Sequence, residues 1–410
     1  MAKLSEILRE RGYVHQHSSE TLEEITDGQK RTVYLGIDPS ADSLHVGNLQ
    51  AMLVLRHFLL DGHKVVLVIG GGTGMIGDPS GKSEERNLLD DETIQRNSGA
   101  IASQAKKLFG GLDFMMVNNA DWLRPLNLLE FLRDIGKHFS VNAMLQRDSV
   151  KNRIEGQEQG ISYTEFSYML LQAYDYLHLH QSNGVDLQIG ASDQWGNITS
   201  GVDLIRRKTG DTAYAFTSPL LINKSTGKKF GKSEEGAIWL DAIKTNTFRF
   251  YQFFLNVDDE SVGELLYKLT LLPRATIEEV ITEHAKNPGA RLAQRRLADE
   301  VTELVHGKDA AVQALAETEL KFKKELTKED KSQLKTDIDA GASVIEVLVS
   351  LGYAESKSAA RRLVEGNAVK INGTLVDDVD RVLGKDDVDG DGMIVLTAGK
   401  SQPASVLAFK

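Results

Sequence analysis

Thr32-Val33-Tyr34-Leu35-Gly36-Ile37 is an apolar, β-rich run that reads as a strand, and His45-Val46-Gly47-Asn48 just downstream opens a helix. A strand running into a helix start is the beginning of an α/β unit. The unpaired N–H groups of that turn, with the positive end of the helix dipole, suit an anion. Gly47 lets a flat group lie against the backbone there. A second segment, Lys229-Phe230-Gly231-Lys232-Ser233, begins 184 residues after His45 and carries two lysines three apart on a glycine-bearing loop. Alone, the first is a common helix start and the second a solvated turn. In this order, with an open α/β chain between them, they point to a pocket that wraps ATP and meets the charge on its phosphates.

Outward from these segments, residues 1–220 alternate strand and helix patterns. Residues 33–37 and 64–69 are short β-branched runs, 186–189 is a weaker one, and amphipathic stretches such as 49–60 lie between. That alternation predicts a parallel, Rossmann-like sheet with helices on both faces. Residues 122–180 read as mostly helical, and Leu126-Asn127-Leu128-Leu129-Glu130-Phe131-Leu132 is more apolar than one sheet face requires, which favours a subunit interface. The pattern from 246 to 305 is helical. Residues 308–340 are rich in Lys, Glu, Asp and Ala, as in solvated helix and linker. The last stretch, 343–410, returns to mixed α and β, with Asn372-Gly373 between two strand-like runs as a tight-hairpin signal. The expected division is 1–245 for an α/β domain with a helical insertion at about 122–180, 246–340 for a helical domain and linker, and 341–410 for a small α+β domain.

Composition narrows the class. The chain has 410 residues, 41% of them apolar and 26% charged, as in a soluble globular protein of two or three domains. Zero cysteines exclude a disulfide scaffold, a cysteine zinc site and a thiol nucleophile. The N-terminus reads as an amphipathic helix and not a signal peptide, and no run of about 18 apolar residues exists, so the expectation is a cytoplasmic protein with no membrane partner. A net charge of −11 opposes indiscriminate nucleic-acid binding but leaves room for a local basic patch on one folded RNA.

Several motifs fail on their surroundings. Gly72-Thr73-Gly74-Met75-Ile76-Gly77 has dinucleotide-binding spacing, but Asp78-Pro79-Ser80-Gly81 opposes the helix that must follow. Gly81-Lys82-Ser83 and Gly231-Lys232-Ser233 end like P-loops, yet Ile76 and Thr226 stand where the first glycine is required. Asp387-Val388-Asp389-Gly390-Asp391-Gly392 opens like an EF-hand, but its twelfth position is Ala398. The ten histidines show no paired metal-ligand spacing, and no metal site is expected.

Five motifs in register carry a resemblance. Tyr34-Leu35-Gly36-Ile37-Asp38-Pro39 precedes the first nucleotide segment and Gly77-Asp78-Pro79-Ser80 follows it. Tyr168, Gln172 and Asp175 come next, then Asp193-Gln194-Trp195-Gly196-Asn197, then the lysine loop. Over nearly its whole length the chain resembles the bacterial tyrosyl-tRNA synthetases, class I aminoacyl-tRNA synthetases, and 343–410 resembles the S4-type RNA-binding fold. The spacing i, i+4, i+7 puts Tyr168, Gln172 and Asp175 on one helix face. The resemblance implies that Tyr34 and Asp175 bind the phenolic hydroxyl of tyrosine, and that Tyr168, Gln172 and Asp78 bind its ammonium. It implies Gln194 near the reacting carboxylate, and Gly36, Asp38, Ser40, His45, Gly47, Asn48, Gly190, Asp193 and Lys232 along ATP. Lys229, Lys232, Ser233, Lys82 and Arg86 would meet the leaving pyrophosphate. Asn48 departs from the family pattern, where a second histidine is common; an amide positions but carries no charge. Phe230-Gly231 replaces Met-Ser of the class consensus and leaves both lysines in place.

The implied reaction has two steps: tyrosine's carboxylate attacks the α-phosphate of ATP, then a hydroxyl of the terminal adenosine of tRNA(Tyr) attacks the activated carbonyl. Mg²⁺ would arrive with ATP. Lys357, Arg361 and Arg362 share a predicted helix in the slightly acidic C-terminal stretch and are assigned to tRNA; Arg206-Arg207-Lys208 is a second basic run, read as touching the acceptor stem. The family is dimeric, which implies a homodimer. Three rivals stay open: a tryptophan-specific ligase, opposed by Tyr34 with Asp175; an NAD-dependent oxidoreductase, opposed by Pro79; and a non-catalytic RNA-binding protein, opposed by intact His45, Lys229 and Lys232.

Overall fold

The computed structural model describes residues 2–80, 90–147, 150, 151, 154, 160–233, 236–323, 325–354, 356–399 and 404–410. Its packing forms two units, Met1–Asn246 with Phe253–Gly307, and Thr247–Gln252 with Lys308–Lys410.

The first unit is built on a six-stranded sheet of β1 (Gln16–His17), β2 (Thr32–Ile37), β3 (Lys64–Ile69), β4 (Met115–Asn118), β5 (Leu187–Ala191) and β6 (Tyr214–Ser218). Across the sheet the order is β1-β6-β5-β2-β3-β4, every neighbour parallel except β1 against β6. The chain moves outward from β2 through β3 to β4, then crosses back to β5 on the other side of β2. That reversal opens a crevice at the carboxyl ends of β2 and β5, where ligands bind in sheets of this kind. Residues 65–69 of β3 are all buried, as a strand covered on both faces must be.

The expected α/β class holds. The sequence reading named three strands; β1, β4 and β6 are additional. β4 escaped because it is an edge strand whose Met115 and Met116 are exposed, so it lacks the buried run that signals a central strand. The helix Val46–Leu60 follows β2, Asp91–Leu108 precedes β4, Tyr163–Asn183 precedes β5, and Trp195–Thr209 joins β5 to β6. Left-handed Gly184 (φ 65°) and Gly210 (φ 81°) end the last two helices. The dinucleotide-like glycine run forms only a 3₁₀ turn, Thr73–Met75, with Gly77 at φ 86°.

The second unit has a five-stranded sheet in the order Thr374–Leu375, Val369–Ile371, Ile394–Ala398, Ser405–Phe409, Lys335–Ile338. The Asn372-Gly373 turn, both residues at positive φ (46° and 81°), joins the first two as an antiparallel hairpin. The helices Val344–Ser350 and Lys357–Glu365 supply Val344, Leu348 and Val364 to a core shared with Ile371, Leu396 and Leu407. The stretch read as helix and linker holds helices Lys308–Lys321 and Lys328–Leu334, but it ends in a strand, Lys335–Ile338, parallel to Ser405–Phe409. With only Ile338 apolar among its four residues, that strand has no sequence alternation to betray it. In the EF-hand-like turn, Asp389 and Asp391 each accept from the Lys331 ammonium, at 2.5 and 2.7 Å, which accounts for its acidity.

Candidate active site

β2 carries Tyr34 into the core beneath the sheet's carboxyl end, among Val66, Ala173 and Tyr176. Its ring is 1% exposed, packs edge-on against Tyr176, and its hydroxyl has no partner among the described residues. The sheet register sets Tyr34 beside Gln188 of β5, whose Oε1 is likewise buried and unpartnered. Asp175, buried on the Tyr163–Asn183 helix, accepts from Asn119 Nδ2 at 2.8 Å and Trp122 Nε1 at 2.7 Å. Burial pushes the Asp175 carboxyl up to about 7, against the pull of those two donors and with a further push from Asp38. Burial, then the charge of Asp175, raises the Tyr34 phenol in turn. A buried polar atom without a partner costs about 1–3 kcal/mol, and this corner carries two, the Tyr34 hydroxyl and Gln188 Oε1.

A second cluster lies along the same helix. Tyr168 donates to Asp38 Oδ2 at 3.0 Å while Thr73 donates to Asp38 Oδ1 at 2.8 Å. Burial, followed by the Asp38 and Asp78 charges, lifts the Tyr168 phenol well above its ordinary range. Gly70 makes this possible, because a Cβ there would lie 2.1 Å from Asp38 Oδ1. Gln194 Nε2 donates to Asp78 Oδ2 at 2.7 Å, and Asn197 Nδ2 donates to Gln172 Oε1 at 3.0 Å. Carboxylates and amide oxygens gathered in such part-buried clusters are groups that suit an ammonium.

The two nucleotide segments meet. His45 caps the Val46–Leu60 helix, and Asn48 Oδ1 accepts from the His45 backbone N–H at 3.1 Å, the positioning role open to an amide. The His45 ring lies over Gly47, where a Cβ would come within 2.8 Å of it. Gly231, at φ 90°, packs against the Gly47 backbone. Its carbonyl accepts from Ile238, whose own carbonyl accepts from Val46, both at 2.9 Å. Lys229 Nζ lies 3.0 Å from Asp193 Oδ2, tying the lysine loop to the turn after β5. The backbone of Lys232–Ser233 pairs with Gly236–Ala237. Lys82 and Arg86 lie outside the described residues.

The remaining candidates divide. Gly36 faces open space, and Ser40 N–H donates to the Asp38 carbonyl at 2.8 Å in the turn beyond it. Gly190 differs: a Cβ there would strike Ile198 and Gln194 at 2.8 and 2.9 Å, so its small size serves the chain's own packing. Arg206 pairs with Asp203 at 3.3 Å, Arg207 donates to the His138 carbonyl, and Lys208 follows them on the same helix. In the second unit Lys357 pairs with Glu346 at 2.7 Å, whereas Arg361 and Arg362 are exposed.

Asn119, Trp122, Thr73 and Asn197 belong to these hydrogen-bonded clusters, Gln188 lies beside Tyr34, and the sequence reading assigned a role to none of the five. Asn119 could have been found, since it directly follows β4 at the carboxyl edge of the sheet. Asn197 stood inside a quoted motif without a role.

Residues 26–323 match the family described as tRNA synthetases class I (W and Y), and residues 323–404 match the tyrosine–tRNA ligase SYY-like C-terminal domain. The chain is 45% identical to a tyrosine–tRNA ligase of Roseiflexus castenholzii over 98% of both chains. It is 43% identical to one from Rhodopirellula baltica, over 98% of this chain and 95% of that one. A C-terminally truncated mitochondrial tyrosyl-tRNA synthetase of Aspergillus nidulans superposes with a TM-score of 0.68 at 33% identity, covering 78% of this chain and 94% of its own. With that likeness running through both units, the chain belongs to the class I tRNA synthetases, among the tyrosine–tRNA ligases.

Proposed function

We propose that Tyr34 and Asp175 receive the phenol of tyrosine, and that the His45–Gly47 helix start, with Lys229 and Lys232, receives the phosphates of ATP. As a tyrosine–tRNA ligase the chain activates its amino acid and passes it to tRNA; the proposal concerns which residues do so. Tyr168, Gln172 and Asp78 would hold the substrate ammonium, Gln194 would lie near its carboxylate, and Gly36, Asp38, Ser40, Asn48 and Asp193 would line the nucleotide. Gly190 would line the nucleotide with them, its lack of a side chain also letting Gln194 approach.

The observation that carries this reading is the continuous set of contacts from the lysine loop to the phenol pocket. Gly231 rests on Gly47, Lys229 on Asp193, and the adjoining Gln194 on Asp78. Asn197 then reaches Gln172, which shares a helix with Tyr168 and Asp175.

A carboxylate oxygen of tyrosine attacks the α-phosphorus in line, a new O–P bond forms, and the bond to pyrophosphate breaks. The ribose hydroxyl of the terminal tRNA adenosine then attacks the carbonyl and AMP leaves. No side chain need become covalently bonded; positioning and cations facing the developing charge supply the rate. The lysine loop and, from the segment outside the described residues, Lys82 and Arg86 would supply those cations. Mg²⁺ would come as the counter-ion of ATP. The tRNA would contact Arg361, Arg362 and Lys357, with Arg206, Arg207 and Lys208 at its acceptor end.

A homodimer in the cytoplasm is part of the same proposal. The helix Leu128–Asp134 buries none of its residues, and Leu128 and Leu129 are 68% and 76% exposed, which favours a second copy covering them. We also retain 1–245, 246–340 and 341–410 as functional divisions.

Amino-acid-dependent exchange of labelled pyrophosphate into ATP tests the reading. Exchange with tyrosine that is lost in Asp175→Ala is the expected result. Exchange with tryptophan, or a fully active Asp175→Ala, would overturn it.

A further inference from the structure

The direction of the Asp175 carboxylate is set partly by Trp122, whose indole N–H lies 2.7 Å from Oδ1. Trp122 sits on Ala120–Leu123, a four-residue helix that buries none of its residues, and its side chain is half-buried against the core around Tyr34, Ala173 and Tyr176. One face of the indole is covered by an aromatic ring. His178 stacks on Trp122 with centroids 4.5 Å apart and planes 17° from parallel. We propose that His178 is a positioning residue for tyrosine selection: its ring clamps the Trp122 indole so that the N–H stays on Asp175.

The geometry gives the clamp two points on one rigid body. Asp175 and His178 both belong to the 21-residue helix Tyr163–Asn183, three positions apart and therefore neighbours on its surface. The indole is held at its nitrogen by one and across its face by the other. Tyr174 flanks His178 with ring centroids 6.4 Å apart. Burial lowers the His178 pKa, which keeps a neutral ring beside Asp175 at pH 7. With the stack removed, the indole turns, Asp175 keeps only Asn119 as donor, and the carboxylate is free to leave the position that reads a phenol.

This inference rests on Asp175 as the phenol acceptor, so the experiment separates the two. Pyrophosphate exchange is measured with tyrosine and with phenylalanine for the parent chain, His178→Ala, His178→Leu, His178→Phe, Trp122→Phe, the double variant His178→Ala/Trp122→Phe, and Asp175→Asn. His178→Ala and His178→Leu should raise the KM for tyrosine by on the order of three- to tenfold. They should narrow the preference over phenylalanine equally and leave the KM for ATP unchanged. His178→Phe should restore the parent values, because it keeps an aromatic face. Trp122→Phe removes the N–H, and adding His178→Ala to it should cost nothing more. Multiplied losses in the double variant, no rescue by phenylalanine, or an unchanged KM in both His178→Ala and His178→Leu would overturn the role of His178. Normal tyrosine activation by Asp175→Asn would instead overturn the pocket.

Discussion

Gly231 lies so close to Gly47 that a Cβ at position 231 would sit 2.9 Å from the Gly47 backbone nitrogen. Two segments 184 residues apart in the chain thus share a glycine-to-glycine contact, and neither position tolerates a side chain freely. The helix start proposed to face phosphate and the loop that carries the lysines are in direct contact, and displacing either displaces the other.

Gly231→Ala should therefore lower kcat for activation by on the order of tenfold or more, because it combines that clash with a left-handed φ of 90°. The KM for tyrosine should be unchanged, since Tyr34 and Asp175 are untouched. Steady-state pyrophosphate exchange gives both constants, and an unaltered kcat would mean that the loop works away from Gly47.

Asp175 predicts a pH dependence with a definite sign. Its carboxyl, raised to about 7 by burial, is mostly protonated in the free protein at pH 6 and ionised at pH 8. If the ionised form accepts the substrate hydroxyl, as proposed, kcat/KM for tyrosine should fall about tenfold per pH unit below 7 and level off above it. Asp175→Asn should lower the plateau and remove the inflection. The effect on folding runs the other way. A folded pKa above the ordinary 3.8 favours the folded state below that value, and the benefit is lost as pH rises through about 7. Bound tyrosine, as a hydrogen-bond donor, should release a proton near neutrality, and calorimetry in buffers of different ionisation enthalpy would detect it.

Tyr34→Phe separates stability from selectivity. The Tyr34 hydroxyl is buried without a partner among the described residues, so removing it should stabilise the ligand-free protein by about 1 kcal/mol and raise its melting temperature by a few degrees. The same change deletes one contact to the substrate hydroxyl and should reduce the preference for tyrosine over phenylalanine by roughly tenfold. A variant that melts lower while selecting as before would place the Tyr34 hydroxyl outside the site.

What the sequence revealed followed local rules. Asn372-Gly373 specified its hairpin because two consecutive positive φ angles favour those residues, and β3 announced itself as a continuous buried run. Tyr168, Gln172 and Asp175 could be grouped because helical spacing fixes which side chains share a face. What escaped depends on distant packing. Trp122 reaches Asp175 across 53 positions and Asn197 reaches Gln172 across 25, and no local pattern encodes either contact. The strand Lys335–Ile338 exists because Ser405–Phe409 offers it an edge, which a polar tetrapeptide cannot advertise. The packing reason for Gly190, the close approach of Ile198 and Gln194, is likewise invisible locally, because a glycine beside a binding motif has the same sequence signature whichever group it admits.

The second unit supports a division of labour that truncation can test. Its core of Val344, Leu348, Val364, Ile371, Leu396 and Leu407 is its own, and Arg361 and Arg362 stand exposed on the helix Lys357–Glu365. Tyr34, Asp175, Gly47 and Gly231 all belong to the first unit. Removing residues 343–410 should leave tyrosine-dependent exchange within about twofold, since the groups proposed for adenylate formation all belong to the first unit. Charging of tRNA should fall by on the order of tenfold or more through lost phosphate contacts. Because truncation also strips the partner from the Lys335–Ile338 strand, the full-length double variant Arg361→Glu/Arg362→Glu is the cleaner arm. It should keep exchange, weaken charging in the same direction, and flatten the salt dependence of tRNA binding, because two fewer cations release counter-ions from the RNA. Equal charging by both proteins would assign tRNA recognition to the first unit alone.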